Sequence, residues 1–127
     1  MVGFSNSAVS AAALRWAVAE GTRLGCRVHV LHVYDEVEHA DARLDGTTPQ
    51  DRRRIDPGRV LSVLGDAAAG ARVSVSQERG SLVDVLTRAA AGARMLVIGK
   101  PGECRHRGLD DRLRAEVTCP VVPVPLG

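Results

Sequence analysis

Aromatic side chains are nearly missing from this 127-residue chain: one phenylalanine (Phe4), one tryptophan (Trp16) and one tyrosine (Tyr34). Without them there are no stacking platforms for single-stranded DNA or RNA. The aromatic girdles of membrane barrels are excluded for the same reason. No apolar run approaches the roughly 18 residues that a transmembrane helix needs. The start carries no basic stretch followed by an apolar one, so no signal peptide is expected. Cysteine is sparse and odd in number, with Cys26, Cys104 and Cys119 at spacings that suit neither a disulfide framework nor a metal site. A reducing, cytoplasmic setting fits that usage. Lysine is reduced to Lys100 among 17 basic residues; such an arginine bias follows codon usage and is given no functional weight. The formal net charge of +2 is too small to call for a nucleic acid or another polyanion as partner.

What remains is ordinary globular composition with an apolar fraction of 45%, made of Ala, Val and Leu. The length suits a single domain over residues 1–127. Short β-branched runs at Val2-Gly3-Phe4, Val28 to Val33, Val73 to Val75, Met95 to Ile98 and Val121 to Val124 predict five strands. Ala/Leu stretches of helical spacing separate them. Leu14 and Val18, with Ala13 and Ala17, predict a helix that Ser5 or Ser7 is placed to cap and Gly25 to end. Asp56-Pro57 opens a second helix striped by Val60, Leu61 and Leu64 and stopping near Gly70. Ser81 and Asp84 have capping-box spacing ahead of Val85, Leu86 and Ala89, and Gly92 closes that helix. Leu109, Leu113 and Val117 make a last stripe. Strict alternation of strand and helix predicts an α/β fold: an open five-stranded parallel sheet, Rossmann-like, with helices on both faces. In such sheets ligands bind beyond the carboxyl ends of the strands, where strand order reverses. The candidate loops are therefore Ser5 to Ser7 and Lys100 to Arg107.

Residues 34–55 break the alternation. The segment begins acidic (Asp35, Glu36, Glu38, Asp41), ends towards the basic run Arg52-Arg53-Arg54, and carries neither periodicity. It is expected to be a variable, mobile loop or flap.

Met95-Leu96-Val97-Ile98-Gly99-Lys100-Pro101-Gly102 is the sharpest local signal. Glycines three apart after a buried strand let a backbone approach a phosphate, and the next helix aims its N-terminus at the same place. The same spacing also suits a plain strand-to-helix turn. His29 and His32, three apart in a strand, point to opposite faces and do not form one metal site; no metal is expected. There is no Gly-x-Ser-x-Gly nucleophile turn, and no catalytic residue is assigned. Cys104, beside Arg105 and Arg107, is a candidate redox thiol. Cys26 and Cys119 are expected to be buried and inert, and Trp16 to pack in the core or between helix and sheet.

Taken together, Val2-Gly3-Phe4-Ser5-Asn6-Ser7, Ala13 to Ala17, Leu31-His32-Val33, Gly80 to Leu86, Ala93 to Gly102 and Cys119-Pro120-Val121-Val122 resemble the universal stress protein family nearly end to end. The resemblance implies a five-stranded α/β domain, a homodimer formed through the last strand, and protein partners. It also implies a choice, since some members hold ATP and others do not. In the binders an Asp after the first strand and the end of the second hold the nucleoside, and the phosphates sit on Gly-x2-Gly-x9-Gly-Ser/Thr. Carried over, the cofactor-binding positions are Ser5, Val33, Ile98, Gly99, Gly102, Gly108 and Leu109. Gly99 and Gly102 match the motif. Beyond them the loop is four residues short, Leu109 stands where a hydroxyl is needed, and Ser5 replaces the Asp. Leucine donates no hydrogen bond to phosphate. Asp110 and Asp111 complement the next helix's dipole themselves and repel an anion, whereas Lys100, Arg105, His106 and Arg107 attract one. The expectation is a non-enzymatic regulatory or binding module with no cofactor, its ATP binding weakened or lost. The alternative is a stress sensor that binds an adenine nucleotide, ATP or AMP. A weak ATPase is a third class, for which the short loop offers no evident base. Prolines 123 and 125, two apart, put both missing N–H groups on one side of the last strand and weaken a dimer paired through it. The family's first strand has several residues before the one matching Val2; a late start at Met1 and an unusually short strand both remain open.

Overall fold

The structure is a computed structural model and describes residues 1–4, 8–34, 58–100 and 109–125. In chain order the elements are β1 (Val2–Gly3), α1 (Ala8–Leu24), β2 (Val28–Tyr34), α2 (Gly58–Leu64) with a 3-10 turn (Gly65–Ala68), β3 (Val73–Arg79), α3 (Leu82–Ala89), β4 (Leu96–Lys100), α4 (Leu109–Glu116) and β5 (Val121–Pro125). The five strands form one parallel sheet in the order β3-β2-β1-β4-β5. Parallel strands need crossovers, and the helices supply them. Val2 sits opposite Val30 on one side and Val97 on the other. β2 and β3 run in register from Val28↔Val73 to Tyr34↔Arg79.

Side-chain alternation along the strands builds two cores, one on each face. Val28 and Val30 of β2 join Ala13, Leu14, Ala17 and Val18 of α1 and Val60 and Leu64 of α2. Leu31 and Val33, of opposite parity, join Val83, Leu86 and Leu113 from α3 and α4. The apolar runs of β2 and β4 are buried from both sides, so they read as nearly continuous apolar stretches rather than alternating ones. Gly25 (φ 69°) follows α1 in the left-handed conformation that glycine adopts without a steric penalty, as the sequence predicts.

The α/β class and the five strands agree with the sequence. Several details do not. Trp16 is 37% exposed rather than core, because it falls beside the Ala13/Leu14/Ala17/Val18 stripe that faces the sheet. Leu61 is 54% exposed: Val60 and Leu64, four apart, take the buried face, and Leu61 is rotated roughly 100° from Val60. Ser81 occupies the N-cap position of α3 in extended conformation but makes no side-chain cap bond, so the capping box is not formed. Cys26 and Cys119 are half-buried, and the Arg94 guanidinium donates to the Cys26 sulfur at 3.1 Å. β3 continues four residues beyond Val75 to Arg79 because it pairs along the whole of β2. The Asp56-Pro57 helix start, the Ser5 and Ser7 caps, and residues 35–55 of the irregular segment lie outside the described residues. No helix among the described residues is long and apolar enough to cross a membrane.

Candidate functional site

Strand order reverses between β1, which leads on to β2 and β3, and β4, which leads on to β5. The crevice expected of an open parallel sheet therefore lies beyond Phe4 and Gly99-Lys100. The N-terminus of α1 closes one side of it. A Cβ built on Gly99 meets Val9 of α1 at 2.3 Å from Cγ1, 2.7 Å from the carbonyl carbon and 2.8 Å from the carbonyl oxygen. The first turn of α1 thus lies on the bare backbone of β4, and glycine at 99 is what lets it do so.

Val33 and Ile98 are both 3% exposed, with their side chains packed into the α3/α4 core. They can present only backbone groups to a ligand. The carbonyl of Tyr34, at the end of β2, already accepts from the Gly80 N–H at 3.1 Å. Leu109 is the first residue of α4. Ser5, Gly102 and Gly108 lie outside the described residues, as does Cys104. Of the seven positions carried over from the family motif, the described structure therefore brings together Val33, Ile98 and Gly99 at the carboxyl ends of the central strands.

One residue at the crest of the sheet has a role that its spacing in sequence does not reveal. His32 is fully buried on the α1 face, and its Nδ1 lies 2.7 Å from the Phe4 carbonyl oxygen. With the Phe4 N–H donating to the Leu31 carbonyl at 2.9 Å, it ties the end of β1 to β2. A nitrogen facing a carbonyl must be the protonated one, which sets the tautomer. The available signal is a polar residue of the same parity as Val28 and Val30 inside that strand, and a buried polar side chain must find a partner. His29 is on the other face, as its parity requires, with ring nitrogens 2.7 Å and 2.8 Å from the hydroxyls of Ser74 and Ser76 on β3. Both histidines are held within the sheet by these bonds, and no group of three metal-ligating side chains occurs among the described residues.

Comparison with known proteins follows the same outline. The universal stress protein family matches over residues 1–125. Three solved structures share the fold. A universal stress protein in complex with cAMP is 18% identical, covers 99% of this chain and 95% of its own, and superposes with a TM-score of 0.69. A universal stress protein family member from Burkholderia pseudomallei is 21% identical, with coverages of 98% and 94% and a TM-score of 0.63. One from Arabidopsis thaliana with AMP bound is 16% identical, with coverages of 95% and 80% and a TM-score of 0.59. No curated protein sequence matches the chain significantly.

Proposed function

Because the chain belongs to the universal stress protein family, we propose that it is a non-enzymatic, cytoplasmic regulatory or binding module whose purchase on ATP is weakened or lost. The observation that carries this is the contact between Gly99 and Val9. The glycine that answers to the start of the family's phosphate loop has a reason in helix packing, because even one methyl group there would collide with α1. Glycine at this position is therefore no evidence of a phosphate. The departures in sequence point the same way: leucine at 109, serine at 5 and a loop four residues short leave a triphosphate with fewer donors.

A second interpretation has its own support. The structurally similar proteins are described with cAMP and AMP, and a single phosphate needs a smaller cradle than three. On this alternative the crevice beyond β1 and β4 takes an adenine mononucleotide through backbone groups. Calorimetric titration with ATP, AMP and cAMP, after nucleotide release from denatured protein has been checked, separates the two. ATP binding tighter than about 100 µM, roughly −5.5 kcal/mol, overturns the proposal. AMP or cAMP binding at that level with ATP excluded supports the mononucleotide alternative. If the family alignment is right, Leu109→Ser combined with Ser5→Asp raises ATP affinity.

The module is proposed to dimerise through β5 and to act through contacts with other proteins. β5 is an edge strand. The Leu96 N–H donates to the Pro120 carbonyl. By the alternation of a parallel ladder, Val122 and Val124 bond to β4, and Pro123 and Pro125 turn outward. That outer edge lacks two donors, so a dimer there rests on side-chain packing more than on strand pairing. Light scattering after size exclusion tests it, and a clean monomer at micromolar concentrations rejects it.

A further inference from the structure

β3 is an edge strand of the sheet, and its side chains divide by parity. Val73 and Val75 pack against the α1/α2 core. Ser74, Ser76 and Glu78 are turned to the α3/α4 face. His29 stands in register with Ser74 and shares that face. Its Nδ1 lies 2.7 Å from Ser74 Oγ and its Nε2 2.8 Å from Ser76 Oγ. Bonds at both nitrogens hold the plane of the ring.

With the imidazole neutral, one nitrogen carries a proton and the other a lone pair. One serine therefore accepts from the ring and the other donates to it. The donating serine has a base in place for its own proton, which is how a hydroxyl nucleophile is activated. Ser74 is exposed, whereas Ser76 is half-buried, so a reagent in solution meets Ser74 first. The charged groups along this face are engaged with other partners. Arg72 donates to the Gly25 carbonyl, and Arg88 lies 3.6 Å from Glu78. The base beside Ser74 is thus the imidazole. The backbone adds a donor. The Val28 N–H donates to the Arg72 carbonyl and the Gly80 N–H to the Tyr34 carbonyl, so even-numbered residues along β3 turn their backbone groups towards β2. The Val75 N–H, one residue after Ser74, is turned to the outer edge, beside any oxyanion formed on Ser74.

We propose that Ser74 is a modification site, a nucleophilic serine that takes the acyl group of an activated ester, with His29 as its base and Ser76 holding the ring. Ser74 Oγ bonds to the acyl carbon while its proton passes to His29 Nδ1. The bond from that carbon to the leaving oxygen breaks, and the electron pair departs with the leaving group. The ring proton follows it, and nothing is oxidised or reduced. One acylation per chain needs no turnover, in keeping with a non-enzymatic module.

The test treats the intact protein with para-nitrophenyl acetate and follows the tryptic peptide Val73–Arg79 by mass spectrometry. Cleavage after Arg72 and Arg79 releases that peptide with both serines in it. Fragmentation assigns the acetyl group, which is expected on Ser74. His29→Gln keeps an amide able to bond the serines but removes the base. It should slow acetylation of Ser74 by about a hundredfold or more, the lower end of what a positioned base contributes. Ser76→Ala should slow the reaction and Ser76→Thr restore it, since threonine keeps the hydroxyl that accepts from the ring. Thermal melts check that each variant folds. An unmodified peptide, acetyl on Ser76 instead, a smaller loss in His29→Gln, or Ser76→Thr behaving like Ser76→Ala each overturns the proposal.

Discussion

Replacing Gly99 with alanine tests whether the glycine of the Gly99/Gly102 turn serves packing. The new methyl would sit 2.3 Å from Val9 Cγ1, and 2.7 and 2.8 Å from the Val9 carbonyl carbon and oxygen. A side-chain tip can swing away, but two of these three atoms are helix backbone. Relief therefore requires α1 to lift from β4 along a face that carries Ala13, Leu14, Ala17 and Val18. Overpacking a close-packed interior costs about 1–3 kcal/mol. Rigid backbone neighbours put Gly99→Ala at or above the upper end, and about 3 kcal/mol in a chain of this length lowers the melting temperature by roughly 10 °C. Gly3→Ala is the internal control. Its Cβ meets Leu86 Cδ2 at 3.4 Å, Leu86 Cδ1 at 3.5 Å and Ile98 Cγ2 at 3.7 Å, all side-chain atoms near ordinary contact distance. The loss of backbone freedom in the unfolded chain offsets any crowding there, so stability should change by less than about 1 kcal/mol. Thermal melts by circular dichroism, with urea titrations for the free energies, measure both. If Gly99→Ala melts like Gly3→Ala, the packing explanation of Gly99 is wrong, and the glycine must be explained by a ligand instead.

Three further outcomes follow from the described structure. His32→Ala removes the partner of the Phe4 carbonyl and empties a fully buried site; it should cost about 2–4 kcal/mol by urea denaturation, and a loss under about 1 kcal/mol would show that β1 does not depend on that bond. Leu113→Ala deletes the fully buried anchor of α4 and should cost about 2–5 kcal/mol, which a urea midpoint shift with unchanged slope would confirm. Burial holds the Met1 amino group below its usual 8.0, despite the opposing pull of Cys119 and Cys26. The unfolded chain therefore binds more protons than the folded one between that lowered value and 8.0, and the amino group makes stability rise as pH rises through this window. An N-terminally acetylated chain should lack that contribution; identical pH profiles with and without acetylation would refute it.

Much of the fold was legible in the sequence, and each success had a local cause. Five β-branched runs became five strands because burial on both faces demands continuous apolar stretches. Gly25 ended α1 because only glycine takes φ 69° there without cost. The errors came where neighbours in space outweighed neighbours in sequence. Hydrophobicity places Trp16 in the core or between helix and sheet, yet the small residues of α1 take the sheet-facing stripe and leave it 37% exposed. Ser81 has the spacing of a capping box but not the bond. Of the candidate site, Val33, Ile98 and Gly99 lie near the carboxyl ends of β2 and β4, where burial confines the first two to backbone contacts.

The division follows from the range of the interactions involved. Alternation of strand and helix, the two-sided burial of β2 and β4 and the family pattern along residues 1–125 are properties of neighbouring residues, so the sequence by itself determined them. Other features depend on pairs far apart in the chain. Val9 lies against Gly99, the ring of His32 sits under the Phe4 carbonyl, and Arg94 reaches the sulfur of Cys26. Periodicity cannot show which face of a helix will lie so close to a strand ninety residues away that a Cβ has no room there. Only the packed sheet decided that glycine at 99 admits the first turn of α1 to β4, because a Cβ there would collide with Val9.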